Sequence, residues 1–192
     1  MSITNTIHLL QQVILDENCG RMNKSTVKGF LGELIVKEKL EEAGFEVEHQ
    51  GNQSGYDLLV WFQDKEIKVD VKTSTLKDDL YCGRNHWGWA LKHSNKKKPI
   101  SATHYICIGL DDDLEAKRFF IIPASLVSKF PKGIGQFSKV EHALCAFQKQ
   151  FTPENPYSKK SKYINKCQHW LGHKRITRLS KGEPFRYEFF KE

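Results

Sequence analysis

The feature that most constrains the fold is a pair of apolar runs that carry acidic residues where a fully apolar strand could stand. The runs, Leu58 to Phe62 and Ile67 to Val71, flank the polar connector Gln63-Asp64-Lys65, which has the length of a hairpin turn. Asp57 opens the first run, and Asp70 lies deep in the second. A buried charge is costly unless it is paired or bound to a metal, so these acids indicate a site.

Strand geometry predicts which of these side chains meet. Successive side chains alternate between faces, so Asp70 and Lys72 share one face while Val69 and Val71 point into the core. Antiparallel pairing of the two runs brings Asp57 beside Asp70. Two adjacent carboxylates suit Mg²⁺, with Mn²⁺ as a substitute, because Mg²⁺ takes one or two carboxylates and fills its other positions with water and phosphate oxygens.

This pattern makes metal-assisted hydrolysis of a phosphodiester the leading hypothesis. Lys72 would act as the base that deprotonates the attacking water, or as a cation that orients the water or holds the phosphate. Glu33 offers a third carboxylate, in a helical segment with core positions on both sides. It is either a site residue, catalytic and metal-binding, or a solvated helix residue beside Lys37.

The remaining pattern predicts a mixed α/β domain. Residues 5–17 have the spacing of a short amphipathic helix, and a longer helix begins with Ser25 or Thr26 as its cap and ends at Gly44. Further strands are expected at residues 45–48, 104–110 and 118–122, the second of them buried on both faces, and a short helix at residues 124–130.

Two segments have weaker patterns. Trp87, Trp89 and Leu91 alternate as the buried side of a strand would. In the tail, residues 163–171 carry apolar side chains at helical spacing, which predicts a basic amphipathic helix.

The positive charge is concentrated near the C-terminus. Residues 151–192 hold 10 Lys and Arg against 4 Asp and Glu, whereas residues 1–150 hold 20 against 19. Such a segment is expected to face a polyanion, and nucleic acid is the favoured partner. The residues predicted to contact DNA are Arg84, Asn85, Lys96, Lys97, Lys98, Lys159, Lys160, Lys162, Lys174 and Arg175.

The number and spacing of the cysteines indicate the redox environment of the protein. Five cysteines, an odd number, are scattered without any C-x-x-C pair, which favours a reduced cytoplasmic location over a disulfide framework. The first twenty residues lack the basic start of a signal peptide, and no apolar run reaches the length of a membrane span, so no membrane partner is expected.

At Asp57, Asp70 and Lys72 the chain resembles the PD-(D/E)XK nuclease superfamily, which includes many restriction endonucleases and Holliday-junction resolvases. That family carries an acid at the start of one core strand, acid-x-Lys on the next, and often a helical Glu upstream, which here would be Glu33. Tyr56 stands where the name-giving proline would be. The resemblance covers residues 23–75, and residues 104–130 only in the order of their elements.

The resemblance implies a restriction-endonuclease-like αβββαβ core, with a mixed central sheet flanked by helices. Residues 1–138 would form the nuclease core, and residues 139–192 a basic extension packed on it and contacting DNA. The implied activity is Mg²⁺-dependent hydrolysis of double-stranded DNA, as in a type II restriction endonuclease working as a homodimer. A junction resolvase, a homing or repair nuclease, and a non-catalytic nucleic-acid-binding protein are the alternatives.

Overall fold

The computed structural model describes residues 2–16, 23–51, 55–76, 86–91, 101–127, 133–137, 144–147, 168–169 and 176–191. The helices are α1 (Ile3–Leu15), α2 (Lys24–Glu42), α3 (Ala124–Val127) and a C-terminal 3₁₀ helix (Tyr187–Phe190). The strands are β1 (Glu46–His49), β2 (Leu58–Phe62), β3 (Lys65–Thr75), β4 (His86–Ala90), β5 (His104–Leu110), β6 (Ala116–Pro123), β7 (Gly133–Phe137), β8 (Leu144–Phe147), β9 (Gln168–His169) and β10 (Thr177–Ser180).

The strands form two sheets. The larger has six strands in the order β1-β2-β3-β5-β6-β10, and the smaller has four in the order β4-β7-β8-β9. Strands β3 and β5 pair in parallel, and the other neighbours pair antiparallel. This mixed sheet with flanking helices confirms the predicted α/β class. The predicted order is matched by α2, β1, β2, β3 and β5, and the described part of the connection between β3 and β5 is the strand β4.

The predicted hairpin is confirmed, and β3 is its longer strand. Strands β2 and β3 pair antiparallel from Leu58 opposite Val69 to Phe62 opposite Lys65. The turn between them places Gln63 at a φ of 55°, in the left-handed region that tight turns use. Because side chains alternate along β3, one face of this strand is apolar and the other carries Asp70 and Lys72.

Helix α2 covers the apolar face of the large sheet. Its buried residues join one core cluster with Val69 and Val71 of β3 and Ile106 and Ile108 of β5. The helix ends as predicted, with Gly44 at a φ of 84°.

The predicted caps of α2, Ser25 and Thr26, are wrong. The Asn23 side chain is the N-cap and accepts hydrogen bonds from the backbone N–H groups of Ser25 and Thr26. Asparagine caps a helix as well as serine or threonine does, so the helix starts at the earlier of the competing positions.

Strand β4 covers part of the opposite face of the large sheet. Trp87 and Trp89 are buried there, as predicted, beside Tyr105, Cys107 and Phe120. Their indole N–H groups donate to backbone carbonyls of β5, Trp87 to Leu110 at 2.7 Å and Trp89 to Ile108 at 2.9 Å. Each tryptophan therefore buries its ring without leaving its polar atom unsatisfied.

The C-terminal segment contributes to the large sheet. Strand β10 pairs with β6, and Leu179, Phe185 and Phe190 lie in the core cluster that includes α2. The proposed domain boundary between residues 138 and 139 stays a prediction. The helix predicted at residues 163–171 is wrong at Gln168–His169, which pair with β8 as β9, because ladder hydrogen bonds between distant segments override helical spacing.

None of the helices within the described ranges is long and apolar enough to cross a membrane. Cys107 is a free cysteine and is buried.

Helix α2 approaches β3 closely at Gly32. A Cβ atom built on Gly32 would lie 1.9 Å from Thr73 Oγ1 and 2.9 Å from Thr73 Cβ, whereas one built on Gly29 meets nothing within 4 Å. We therefore expect Gly32→Ala to lower the free energy of unfolding by about 2 kcal/mol, because overpacking displaces the helix from the strand. Urea denaturation would measure the change. The matched control Gly29→Ala should be neutral or stabilise by up to about 1 kcal/mol, and equal stabilities of the two variants would contradict the close packing.

Candidate active site

Asp57 is held at the point where β2 begins. Its backbone N–H donates to the Val69 carbonyl of β3 at 2.9 Å, and its own carbonyl accepts the Gln50 N–H at 2.9 Å. Both backbone polar groups are thus fixed by neighbouring segments. This placement directs the side chain of Asp57 along β3 rather than into solvent.

The Asp57 carboxylate continues the strand ladder. Its Oδ2 accepts the backbone N–H of Val71 at 2.7 Å. This side-chain oxygen takes the role of the backbone carbonyl that a longer β2 would supply to β3. A charged acceptor makes a stronger hydrogen bond than a neutral one. The bond fixes one carboxylate oxygen and sets the rotamer of Asp57, so the other oxygen is positioned relative to β3.

Asp70 and Lys72 form the centre of the site. The Asp70 side chain is 4% exposed, and its Oδ1 forms an ion pair with Lys72 Nζ; the Lys72 side chain is 24% exposed. Burial of a carboxylate is tolerated when such a partner compensates its charge. The pair therefore joins a buried anion to a cation that still reaches the surface.

The charges of the site act on Asp57. Burial raises the pKa of Asp57 to about 6, and the neighbouring negative charges of Asp70 and Glu33 add to the rise. The Val71 hydrogen bond and the Lys72 charge act in the opposite direction but are outweighed. The charges of the other two predicted carboxylates thus both act on Asp57.

Glu33 is engaged by a residue that the sequence did not reveal. Its Oε2 lies 2.6 Å from His49 Nε2, and both side chains are partly buried. The His49 ring packs edge-on against Phe30 at 5.4 Å between centroids. Since His49 ends β1 opposite Leu58, it stands next to the segment that holds Asp57. A histidine before a glycine turn is a common surface pattern, so spacing alone could not have identified it.

Tyr105 and Cys107 line the same face as Asp70 and Lys72. They lie on β5 directly opposite these two residues in the parallel register, and both are fully buried. Burial raises the pKa of the Cys107 thiol well above its ordinary range, which makes Cys107 an inert packing residue. Tyr105 was not predicted as a site residue, because residues 104–110 form a continuous apolar run in which no single position stands out.

The site offers carboxylate oxygens as potential ligands of a divalent metal. Within the described ranges no group of three or more His, Cys, Asp and Glu side chains could hold a metal ion, so Glu33 does not join the two aspartates in one cluster. Asp57 and Asp70 remain as a carboxylate pair, with Lys72 beside Asp70. Such a pair fits Mg²⁺, which needs one or two protein carboxylates.

The predicted DNA-contacting residues lie outside the described ranges. These are Arg84, Asn85, Lys96, Lys97, Lys98, Lys159, Lys160, Lys162, Lys174 and Arg175. Their role stays a prediction.

No protein-family model and no curated protein sequence matches the chain. Among solved structures, the chain is similar to a bacterial homing endonuclease, I-Ssp6803I, with 15% sequence identity and a TM-score of 0.47. The match covers 69% of this chain and 84% of that one. Similarity at this level does not assign a function.

The raised pKa of Asp57 predicts a gain in stability when the charge is removed. Above about pH 6 the folded protein holds a charged carboxylate in a place that disfavours it, and this cost disappears as the pH falls through 6 towards the ordinary value of 3.8. Asp57→Asn keeps an oxygen to accept the Val71 N–H. We therefore expect it to raise the free energy of unfolding by about 1–2 kcal/mol at about pH 8 without divalent cations.

Urea denaturation at about pH 8 and about pH 4 would measure this gain, which should shrink at the lower pH. Asp64→Asn, in the exposed turn between β2 and β3, is the matched control and should change little at either pH. A gain of the same size at both pH values would show that charge repulsion is not its cause.

Proposed function

We propose that this protein is a metal-dependent endonuclease that hydrolyses phosphodiester bonds of double-stranded DNA. The observation that carries the proposal is the convergence of Asp57, Asp70 and Lys72. One buried carboxylate is paired with a lysine, and the pKa of the second is raised by its burial and, in addition, by the charge of the first. A perturbed acid beside a cation is typical of sites built for chemistry.

Asp57 and Asp70 would hold Mg²⁺, or Mn²⁺ in its place. Bound Mg²⁺ would acidify water and offset the negative charge that develops on the phosphate. Asp57 contributes the oxygen that is not fixed by Val71, and Asp70 contributes from the neighbouring position on β3. In both cases the protein supplies orientation, because the backbone pairing of β2 and β3 sets the distance between the two residues.

Lys72 would contact a phosphate oxygen. In its ion pair with Asp70 it is a cation, and a cation can orient and stabilise an anionic phosphate but cannot accept a proton. This favours the phosphate-orienting role over the base among the roles considered for Lys72. Its partial exposure leaves the ammonium within reach of a substrate that approaches from solvent.

Glu33 would act at the edge of the site. His49 engages its carboxylate, while its charge still contributes to the raised pKa of Asp57. Glu33 and His49 together would set the local charge and help to orient water, and Asp57 and Asp70 would be the metal ligands. Glu33 is therefore proposed as an assisting residue of the catalytic set.

Double-stranded DNA is proposed as the substrate because of the charge distribution. The excess of positive charge falls in residues 151–192, and a polyanion is the partner that such a segment attracts. Among DNA endonucleases we propose a type II restriction enzyme that works as a homodimer, so that two sites cut two strands. Comparing cleavage of a linear duplex with that of a four-way junction would separate this role from a resolvase.

The proposal predicts divalent-metal-dependent cleavage of plasmid DNA that depends on Asp70 and Lys72. Asp70→Asn and Lys72→Ala should each reduce cleavage at least about 100-fold, because a lost ligand or a lost phosphate contact removes stabilisation of the transition state. Gel electrophoresis with Mg²⁺, and with chelator, would measure this. Lys117→Ala is the matched loss of a lysine, taken from an exposed ion-pair cluster on β6.

Because Lys72→Ala leaves a buried carboxylate without its cation, its folding must be verified by circular dichroism, and Asp70→Asn avoids that problem. Salt-sensitive DNA binding without any metal-dependent cleavage, unchanged by Asp70→Asn, would instead identify a non-catalytic binding protein.

A further inference from the structure

Tyr105 lies beside Asp70 in the large sheet. In the parallel register of β3 and β5 it stands opposite Asp70, and Cys107 stands opposite Lys72. Residues paired in this way share a face of the sheet, so the Tyr105 ring belongs to the side on which the proposed chemistry occurs. Its neighbours on that face include the buried rings of Trp87 and Phe120.

The hydroxyl of Tyr105 is buried without a hydrogen-bond partner in the described part of the chain. The residue as a whole is fully buried. A buried hydroxyl with no partner loses its hydration and gains nothing in return, so phenylalanine would fill the same space at lower cost. We therefore expect the hydroxyl to have a hydrogen-bond partner other than the side chains and backbone groups of the described ranges.

The register of β3 and β5 indicates which acceptor the hydroxyl can have. Tyr105 stands opposite Asp70, on the face that also carries Lys72, so an oxygen atom held at the carboxylates is an acceptor available on that face. Burial raises the pKa of Tyr105 to about 12, and the neighbouring charge of Asp70 adds to the rise, so the hydroxyl is a donor near neutral pH.

The ring of Tyr105 also bears on Lys72. Lys72 Nζ lies 6.0 Å from the ring centroid, at the limit of a cation–π contact. If Asp70 engages a metal, the ammonium of Lys72 needs a second neighbour that limits its movement. The face of the Tyr105 ring is placed to be that neighbour.

From this arrangement we infer that Tyr105 is a positioning residue of the carboxylate site. Its hydroxyl donates a hydrogen bond to an oxygen, of water or phosphate, held at Asp57 and Asp70, and its ring limits the positions open to Lys72. This inference rests on the proposed function and extends it, because it makes β5 a third strand of the site beside β2 and β3.

The test uses Tyr105→Phe, which removes the hydroxyl and keeps the ring. Tyr187→Phe is the matched control, since Tyr187 stacks on Phe62 at 4.8 Å between centroids, in a different part of the core. Three quantities are compared with the wild-type chain: resistance to urea without metal, the dissociation constant for Mg²⁺ by calorimetry, and the rate of plasmid cleavage. Calorimetry requires no DNA, so it reports on the site independently of turnover.

We expect Tyr105→Phe to resist urea at least as well as the wild type, because an unsatisfied hydroxyl has been removed. Its affinity for Mg²⁺ should fall about three- to tenfold and its cleavage rate about tenfold, because the site loses one donor and keeps its ligands. Tyr187→Phe should match the wild type in both. A merely structural role for the hydroxyl would leave the dissociation constant for Mg²⁺ unchanged.

Wild-type affinity and cleavage in Tyr105→Phe would overturn this inference and leave the proposed function intact. Equal losses in Tyr105→Phe and Tyr187→Phe would overturn it as well, since the effect would then be general. A wild-type chain that neither binds Mg²⁺ nor cleaves DNA would overturn the proposed function, and the inference with it.

Discussion

Strand β3 is the constraint on which the rest of the structure depends. It pairs antiparallel with β2 on one side and parallel with β5 on the other, so it lies inside the sheet and must satisfy both neighbours. Its apolar side chains meet helix α2, and its charged side chains lie on the opposite face. A one-residue shift of its register would place the charges in the core, so the pairing that builds the sheet also builds the site.

The electrostatics of the site work against its stability. Asp57 and Asp70 raise each other's energy when both are charged, and the Lys72 charge and the Val71 hydrogen bond oppose the cost at Asp57. A protein selected for stability alone would replace such a pair with apolar residues. Under the proposed function, a bound divalent cation would relieve this repulsion.

Much of the fold follows from local sequence patterns. The hairpin, the buried strand β5 and the end of helix α2 at Gly44 were predictable, because turn chemistry and apolar runs are local signals. Asp57, Asp70 and Lys72 could be placed on one face for the same reason. Their catalytic role stays a proposal, since position on a strand does not reveal reactivity.

What the sequence could not predict depends on contacts between distant segments. The engagement of Glu33 by His49 joins α2 to β1, and the position of Tyr105 beside Asp70 follows from parallel pairing across a long connection. Neither leaves a mark in the spacing of residues along the chain. The strand at Gln168–His169 was missed for the same reason, because its partner β8 is far away in sequence.

The contact between Gly32 and Thr73 has a consequence for how the chain can change over generations. Glu33 follows Gly32 directly. Because Gly32 has no side chain, helix α2 can lie close to β3, and this close packing sets the position of Glu33. A larger residue at position 32 would push helix α2 away from β3 and move Glu33 away from Asp57. No acidic or basic side chain would be replaced by this change. The reactivity proposed for this site could thus be tuned by volume alone, at a residue that carries no functional group.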